Sequence, residues 1–256
     1  MSLSKEPAFS TLRNRFVCGY RDISDQPYCG NSGVHTVTSN AIETTNGAGP
    51  HNIQLFVMDP DGTVLHCLPG YWNPQDLVGE LDLAERLDSV YRERSLSPEQ
   101  KRAQFASMHI DHFKHHSKEL VARSHMQDFD RKHELSRPFS DTLRSAPNFH
   151  AVSWQEGGDD LVKTTDEIMH ERMSQRPFFA YNNFDTGRFS DYGTHFYDKH
   201  EDSLDENGKR LETESMGKAA TMKDGGQRRH GRNAAGGSGH VPHLQIKTYG
   251  RLRSMQ

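Results

Sequence analysis

Residues 55–81 read "LFVMDPDGTVLHCLPGYWNPQDLVGEL", and this stretch decides the fold of the 256-residue chain. It starts with a run of large apolar side chains, which favours a β-strand. The "DPDG" at 59–62 then supplies a proline with a preset φ and a glycine that can adopt a positive φ, as a tight turn requires. Since "TVLHCL" at 63–68 is again apolar, the sequence predicts an antiparallel hairpin over residues 53–68.

A helix is predicted directly after the hairpin. The side chain of Asn73 can accept a free backbone N–H at the helix start, and Pro74 suits the first helical position because no donor is needed there. Apolar residues then recur every three or four positions, which places them on one face of a helix. They are Leu77, Val78, Leu81, Ala84, Leu87 and Tyr91. We expect this face to pack on the hairpin.

Two further strands are predicted upstream of the hairpin. The run "RFVCGY" at 15–20 is apolar enough to form a buried strand. Residues 34–39 read "VHTVTS" and are rich in β-branched side chains, whose restricted χ1 angles suit a pleated sheet. Residues 21–33 are dense in turn formers, so a long loop is expected between the two strands.

Helices are predicted downstream of the hairpin. Ser97 and Gln100 are spaced as a capping box, and no helix breaker follows until about Lys132, so one long helix is expected. Its apolar stripe is narrow, which predicts packing along one side of the domain. The stripe consists of Ala103, Ala106, Ile110, Phe113, Leu120 and Val121. A shorter helix is predicted near residues 165–174.

The C-terminal part of the chain has two unusual compositions. Residues 176–197 contain eight aromatic side chains without helical or strand periodicity. We interpret them as a strap that lays its rings on the domain surface; an aromatic lip that binds a ligand or a partner is the alternative. Residues 225–240 read "GGQRRHGRNAAGGSGH", a low-complexity linker that need not fold.

Charge and hydropathy narrow the class of protein. Residues 218–256 carry eight Lys or Arg against one Asp, a net charge of +7, which leaves −11 on residues 1–217 of a chain with net charge −4. A basic tail can bind nucleic acid but can equally contact its own acidic body, so nucleic acid is expected as a partner only through this tail. The sequence has neither the roughly 18 apolar residues of a membrane span nor the apolar core of a signal peptide. We therefore predict a cytoplasmic protein with no membrane partner.

The hairpin, the "PGYW" at 69–72 and the capped helix together resemble the C-terminal half of the thioredoxin-like superfamily, over residues 50–92. This resemblance implies a central mixed sheet flanked by helices, a redox cysteine at the start of the first helix, and a loop with a cis-proline. Cys29 is the matching cysteine, and Pro50 is the candidate for the proline. Three residues after Cys29 stands Ser32 instead of the second cysteine of a C-x-x-C motif, so dithiol reductase chemistry is not expected.

We therefore predict an α+β fold, with a thioredoxin-like mixed sheet, flanking helices, and a long helical and irregular C-terminal extension. The expected organisation is a thioredoxin-like domain at residues 1–95, a helical extension with the aromatic strap at 96–200, and a polar, basic and flexible tail at 201–256.

Four histidines lie close together in "MHIDHFKHH", residues 108–116. On a helix, His109, His112 and His116 fall within about 60° of arc and share one face. Because imidazole is a good ligand for transition metals, these three are the predicted metal ligands, with zinc or copper as the metal. The candidates for completing the shell are His125, His133, Glu119 and a residue of the aromatic strap. The alternative is a solvated histidine-rich face that acts as a pH-dependent contact surface.

Three functions are compatible with these observations. The first is a thioredoxin-like module without the dithiol motif, either degenerate in its redox chemistry or binding an unknown protein partner. The second is a redox protein that uses the single thiol of Cys29, through a mixed disulfide, a sulfenic acid or peroxide reduction. The third is a metal-binding protein that uses the histidine face. The other two cysteines, Cys18 and Cys67, lie in apolar runs and are expected to be inert small core residues with free thiols.

Overall fold

The computed structural model describes residues 2–32, 44–137, 139–144 and 161–197. Its helices are α1 (Ala8–Arg15), α2 (Pro74–Arg92), α3 (Pro98–Lys114), α4 (Lys118–Arg123), α5 (Asp128–Leu135), α6 (Thr165–Ser174) and α7 (Thr186–Phe189). Its strands are β1 (Asn31–Ser32), β2 (Gln54–Met58), β3 (Val64–Pro69) and β4 (Phe196–Tyr197). The described residues therefore form a mixed α+β structure. The predicted strand at 34–39 and the tail at 201–256 lie outside them.

The predicted hairpin is confirmed. Strands β2 and β3 pair antiparallel, with Phe56 opposite Cys67. In the connecting turn Gly62 adopts a φ of +86°, and its backbone N–H donates to the carbonyl oxygen of Asp59 at 2.9 Å. A glycine is required at this turn position because other residues rarely adopt a positive φ. Strand β3 contacts both α2 and α6, and all of its residues are buried.

Helix α2 is confirmed and carries much of the core. The side chain of Asn73 accepts the backbone N–H of Gln75 at 3.0 Å, as the predicted cap requires. The most buried residues of the predicted apolar face are Leu77, Leu81, Ala84 and Leu87. They share one cluster of buried side chains with residues of β3, α3, α6 and α7, so residues 1–95 and 96–200 contribute to the same core. One charged residue, Glu80, lies on this core face with no exposed surface.

The predicted strand at 15–20 is wrong. Helix α1 continues to Arg15, and the chain beyond it forms no strand up to β1. Val17 and Tyr20 are fully exposed, and only Phe16 of this run packs against the core. A run that buries a single side chain, and that has no neighbouring strand among the described residues to accept its backbone hydrogen bonds, gains too little to form a strand.

The single long helix predicted from Ser97 is wrong in its extent. The capping box of Ser97 and Gln100 is present, but the helix is interrupted twice, which gives α3, α4 and α5. The side chain of Ser117 caps α4 by accepting the backbone N–H of Leu120 at 3.2 Å, and Ser124 ends α4. Serine competes for backbone hydrogen bonds in this way, and its effect is weaker and harder to predict than that of proline or glycine.

Helix α3 also turns a different face to the core than its apolar stripe predicts. Ala103 is exposed, whereas Phe105 and His109 are fully buried. The helix packs on α2 and α6. The face of α3 that carries the histidines packs against α2 and α6, because these two helices present polar side chains to it.

The short helix predicted near 165–174 is confirmed as α6, but the aromatic segment at 176–197 is not a surface strap. Phe184, Phe189 and Tyr192 are buried, because this segment closes one side of the core. Its end, β4, pairs in parallel with β1. Among the described residues, no helix is long and apolar enough to cross a membrane.

Candidate metal centre

Four side chains from the three packed helices meet in the interior. Glu80 comes from the core face of α2, His112 from α3 and His170 from α6, while His116 lies just after the end of α3. The side chains of Glu80 and His170 have no exposed surface, that of His116 is 4% exposed and that of His112 is 18% exposed. One ligand atom of each residue lies within 4.8 Å of the other three. We refer to Glu80, His112, His116 and His170 as the four-ligand centre.

The imidazole nitrogens of this centre surround the Glu80 carboxylate without forming good hydrogen bonds to it. Glu80 Oε1 lies 3.3 Å from His116 Nε2 and 3.5 Å from His112 Nε2. Glu80 Oε2 lies 3.4 Å from His170 Nε2. Within the described part of the chain, the three nitrogens and Glu80 Oε1 all lack a hydrogen-bond partner. Buried polar atoms are nearly always paired in folded proteins, so these four unpaired atoms are available to an ion or to water at one place.

Two of the separations are close to the edges of a tetrahedral metal shell. With metal–ligand bonds of about 2.0–2.1 Å, such an edge measures about 3.3–3.4 Å. Glu80 Oε1 lies 3.3 Å from His116 Nε2 and 3.5 Å from His112 Nε2, whereas His170 Nε2 lies 3.4 Å from the other carboxylate oxygen, Oε2. The centres of the three imidazole rings are 4.8–5.3 Å apart, and about 5 Å is expected when all three rings point one nitrogen at a tetrahedral ion. Neighbouring ligands of an octahedral ion would be only about 3.0 Å apart at the same bond length.

A second layer of hydrogen bonds orients two of the four ligands. His116 Nδ1 donates to Asp166 Oδ2 at 2.9 Å, and this contact leaves His116 Nε2 available to a metal. His66 Nδ1 accepts the backbone N–H of Cys67 at 3.0 Å. The proton of a neutral His66 is therefore on Nε2, which donates to Glu80 Oε2 at 2.8 Å and holds the carboxylate in place.

His109 is fully buried beside His170, with 3.1 Å between their Nδ1 atoms. One of these atoms must donate and the other accept. An ion on His170 Nε2 requires the donor to be His170 Nδ1–H. His66, His109 and His170 form a second group of close ligand atoms, but both nitrogens of His66 are already engaged. The second group is therefore better explained as an outer layer of hydrogen-bonding residues around the four-ligand centre than as the ligands of a second ion.

Burial and charge change the protonation of the centre. Burial alone would raise the pKa of Glu80, but the surrounding imidazoles, above all His170, hold it well below its usual value. Burial alone would lower the pKa of His116, but Asp166 and Glu80 raise it to about 9. Burial lowers the pKa of His170 to about 4, although Glu80 opposes this shift. Burial and the adjacent imidazoles also hold the pKa of His109 well below its usual value.

The three histidines predicted as ligands do not all lie in one group. His112 and His116 belong to the four-ligand centre, whereas His109 belongs to the second group and contacts His170. The face that carries them is buried against α2 and α6 and is not a solvated surface. The described residues therefore contain a buried, histidine-rich cluster that can bind a metal.

Two of the four candidate ligands, Glu80 and His170, were not predicted from the sequence. The residues expected to complete the shell, Glu119, His125 and His133, lie in neither group. Glu80 and His170 take their place. A sequence signal existed only for Glu80, which interrupts the apolar face of α2; the burial of His170 is visible only in the structure, because the sequence of α6 has no regular apolar face. A charged or polar residue at such a position requires a buried partner.

Cys29 is half-buried and free, and it precedes the short strand β1 instead of opening a helix. Its Sγ lies 3.5 Å from the carbonyl oxygen of Gly30. Pro50 lies in a buried turn and follows a trans peptide bond. The predicted core position is wrong for Cys18, which is exposed because residues 15–20 form no buried strand, and confirmed for Cys67; both are free thiols. Burial raises the pKa of Cys67 well above its usual value. The proposed chemistry of Cys29 stays a prediction.

Comparison with protein-family models, with curated proteins and with solved structures finds no match to this chain. The thioredoxin-like resemblance of residues 50–92 accordingly stays a prediction. The buried ligands are the structural feature that points most directly to a function.

Proposed function

We propose that this protein binds one zinc ion at the four-ligand centre. The observation that carries the proposal is the convergence of three unpaired imidazole nitrogens on one carboxylate, at separations of 3.3–3.5 Å. Each buried polar atom left without a partner costs about 1–3 kcal/mol. A zinc ion would satisfy all of these atoms at once, because imidazole nitrogen and carboxylate oxygen are both common zinc ligands.

The charges of the centre also support a divalent cation. Glu80 and Asp166 are fully buried carboxylates, and buried charges are costly unless they are paired. In the metal-free protein the imidazolium of His116 compensates one of them. A zinc ion bound by neutral histidines would compensate both.

The geometry favours zinc over copper, the other metal predicted from the sequence. Copper(II) prefers square-planar or tetragonal shells, whose neighbouring ligands are closer together than those of a tetrahedron at equal bond length. Zinc has no such preference and is nearly always tetrahedral when four protein groups bind it. The two separations that start at the same oxygen, Glu80 Oε1, are 3.3 and 3.5 Å and are closer to a tetrahedral edge than to a square-planar one.

The proposed ion would connect α2, α3 and α6. Four protein ligands fill a tetrahedral shell, and filled shells are typical of zinc that stabilises a fold. We therefore propose a structural role, in which the free energy of zinc binding adds to the free energy of folding. A thioredoxin-like module that binds a protein partner, and a redox role for Cys29, are compatible with such an ion and stay separate proposals.

Zinc content and zinc affinity test the proposal. Protein purified without a metal-affinity tag should retain about one zinc ion per chain, and stripped protein should take up one equivalent in competition with a chromophoric chelator. His112→Gln is the best ligand variant, because His112 lies at the edge of the centre and its replacement disturbs the core least. If a typical zinc-binding free energy of about 10–16 kcal/mol is shared by four ligands, the loss of one costs roughly 3 kcal/mol, or about 100-fold in affinity.

His115→Gln is the matched control. His115 is adjacent to His116 in sequence, but it is exposed, and its Nδ1 lies 2.6 Å from the carbonyl oxygen of Asp111. This variant should bind zinc like the wild type. Equal losses in the two variants, or a stripped wild-type protein that takes up no zinc, would show that the centre is not a zinc site.

A further inference from the structure

His112 is the most exposed ligand of the four-ligand centre. Its side chain is 18% exposed, whereas those of the other three ligands are 0–4% exposed. His112 lies in the last turn of α3 and lines a surface pocket of about 660 Å³. The rest of the lining comes from α2 and consists of Gly79, Asp82, Glu85, Arg86 and Ser89. The pocket therefore lies between α2 and the end of α3, beside one ligand of the proposed zinc ion.

Each of the other three ligands contacts a further side chain that is itself fully buried. These contacts join His66 to Glu80, Asp166 to His116, and His109 to His170. His112 differs, because its neighbour is the exposed Arg86, whose guanidinium lies 3.4 Å from His112 Nδ1. Among the described residues, His112 is therefore the one ligand of the centre whose polar contact on the outer side is exposed.

The imidazole of His112 separates the pocket from the position of the proposed ion. On its inner side, Nε2 lies 3.5 Å from Glu80 Oε1. On its outer side, Nδ1 lies next to Arg86, which lines the pocket. The pocket has room beside the ring, because a Cβ added at Gly79 would meet no heavy atom within 4 Å. A rotation of this one side chain into the pocket would open the centre without unfolding a helix, and such rotations are fast.

We infer that the metal ion enters and leaves the four-ligand centre through this pocket, with the imidazole of His112 as the gate. The inference rests on the proposed zinc centre. A buried metal site needs an entry path, and the close packing of a protein interior leaves no room for an ion elsewhere. While His112 is rotated outward, Glu80, His116 and His170 still hold the ion, and three protein ligands with one water form a shell that zinc readily adopts.

Filling the pocket tests this path. Gly79→Met puts a flexible side chain into the open space, and α2 should be retained because methionine is a good helix former. Zinc uptake by the stripped full chain and zinc release to excess EDTA are both measured by stopped flow. The two rate constants should fall by the same factor, at least about tenfold, because an obstacle on the path raises the barrier in both directions. The dissociation constant, measured by chelator competition, should stay that of the wild type.

Gly79→Ala is the matched control. It removes the same glycine from α2 but leaves the pocket open, so both rate constants should stay those of the wild type. Ser89→Met is a second way to fill the pocket, and it provides the same test if Gly79→Met does not fold. Ser89 lines the pocket, and its side chain is exposed and donates only to the carbonyl oxygen of Glu85 within α2.

The possible failures are distinguishable. Wild-type rate constants in a folded Gly79→Met, or equal slowing in Gly79→Ala, overturn the path and leave the zinc centre in place. A change in release alone, with a matching change in the dissociation constant, also overturns the path, because it shows that the variant alters the bound state. A stripped wild-type protein that takes up no zinc overturns both the path and the centre.

Discussion

Replacing Glu80 by glutamine should weaken zinc binding strongly and leave the metal-free fold nearly unchanged. Glutamine has almost the same shape, and its amide oxygen can still accept the hydrogen bond that His66 donates to Glu80 at 2.8 Å. The core face of α2 therefore keeps its packing. What the variant removes is the negative charge that faces three imidazole nitrogens at 3.3–3.5 Å.

The size of the effect follows from the number of ligands. One quarter of a typical zinc-binding free energy is roughly 3 kcal/mol, which weakens binding about 100-fold. When free zinc is in excess of the dissociation constant, a 100-fold weaker affinity removes about 2.7 kcal/mol from the stability of the loaded protein. For a protein with 150–250 ordered residues, about 2–4 °C in Tm corresponds to 1 kcal/mol, so the zinc-loaded Tm should fall by about 5–10 °C.

Thermal unfolding in zinc and in EDTA measures this effect. The wild type should show a clear difference between the two Tm values, and Glu80→Gln should lose most of that difference. Glu99→Gln is the control, because the Glu99 side chain is 74% exposed in the first turn of α3 and belongs to neither group of close ligand atoms. If Glu80→Gln keeps the wild-type difference, Glu80 is not a ligand. If its Tm falls equally in zinc and in EDTA, the carboxylate has a packing role that is independent of metal.

Three further predictions concern the protein as a whole. In EDTA its stability should be highest near pH 6.5, the usual pKa of an unfolded histidine. It should be lost as the pH falls toward the depressed pKa of His170, about 4, and also as the pH rises toward the raised pKa of His116, about 9. Each of the two decreases should amount to about 3 kcal/mol of unfolding free energy, measured by urea unfolding. An unfolding free energy that stays constant between pH 4 and 9 would contradict the pKa shifts of His170 and His116. Gly70→Ala should destabilise the fold by about 3 kcal/mol or more, because Gly70 has a φ of +75° and an added Cβ would overlap the carbonyl oxygen of Gly47. Gly79→Ala in α2 should instead stabilise by about 0.5–1 kcal/mol, and equal denaturation curves for the two variants would refute this reasoning. Iodoacetamide should modify the exposed Cys18 in the native protein and the buried Cys67 only after unfolding, and peptide mass spectrometry that finds native labelling of Cys67 would show that its burial is wrong.

The hairpin and α2 could be predicted because their determinants are local. A turn with a glycine at the position of positive φ, and a helix with an asparagine cap and a regular apolar face, are specified by neighbouring residues. Where the determinants are weaker, prediction failed. The helix is interrupted at Ser117 because a side-chain hydrogen bond of this serine competes with the helical hydrogen bonds. Residues 15–20 form no strand because no partner strand lies beside them among the described residues.

The sequence by itself determined one helical face that carries His109 and His112, because a spacing of three residues puts two side chains on the same side of a helix whatever surrounds it; His116 follows the end of α3. Only the tertiary structure decided that this face is buried, that Glu80 and His170 meet it, and that His109 belongs to an outer layer. Side chains from separate helices come together because the apolar faces of those helices pack, and the position of a polar residue within such an interface depends on the whole core.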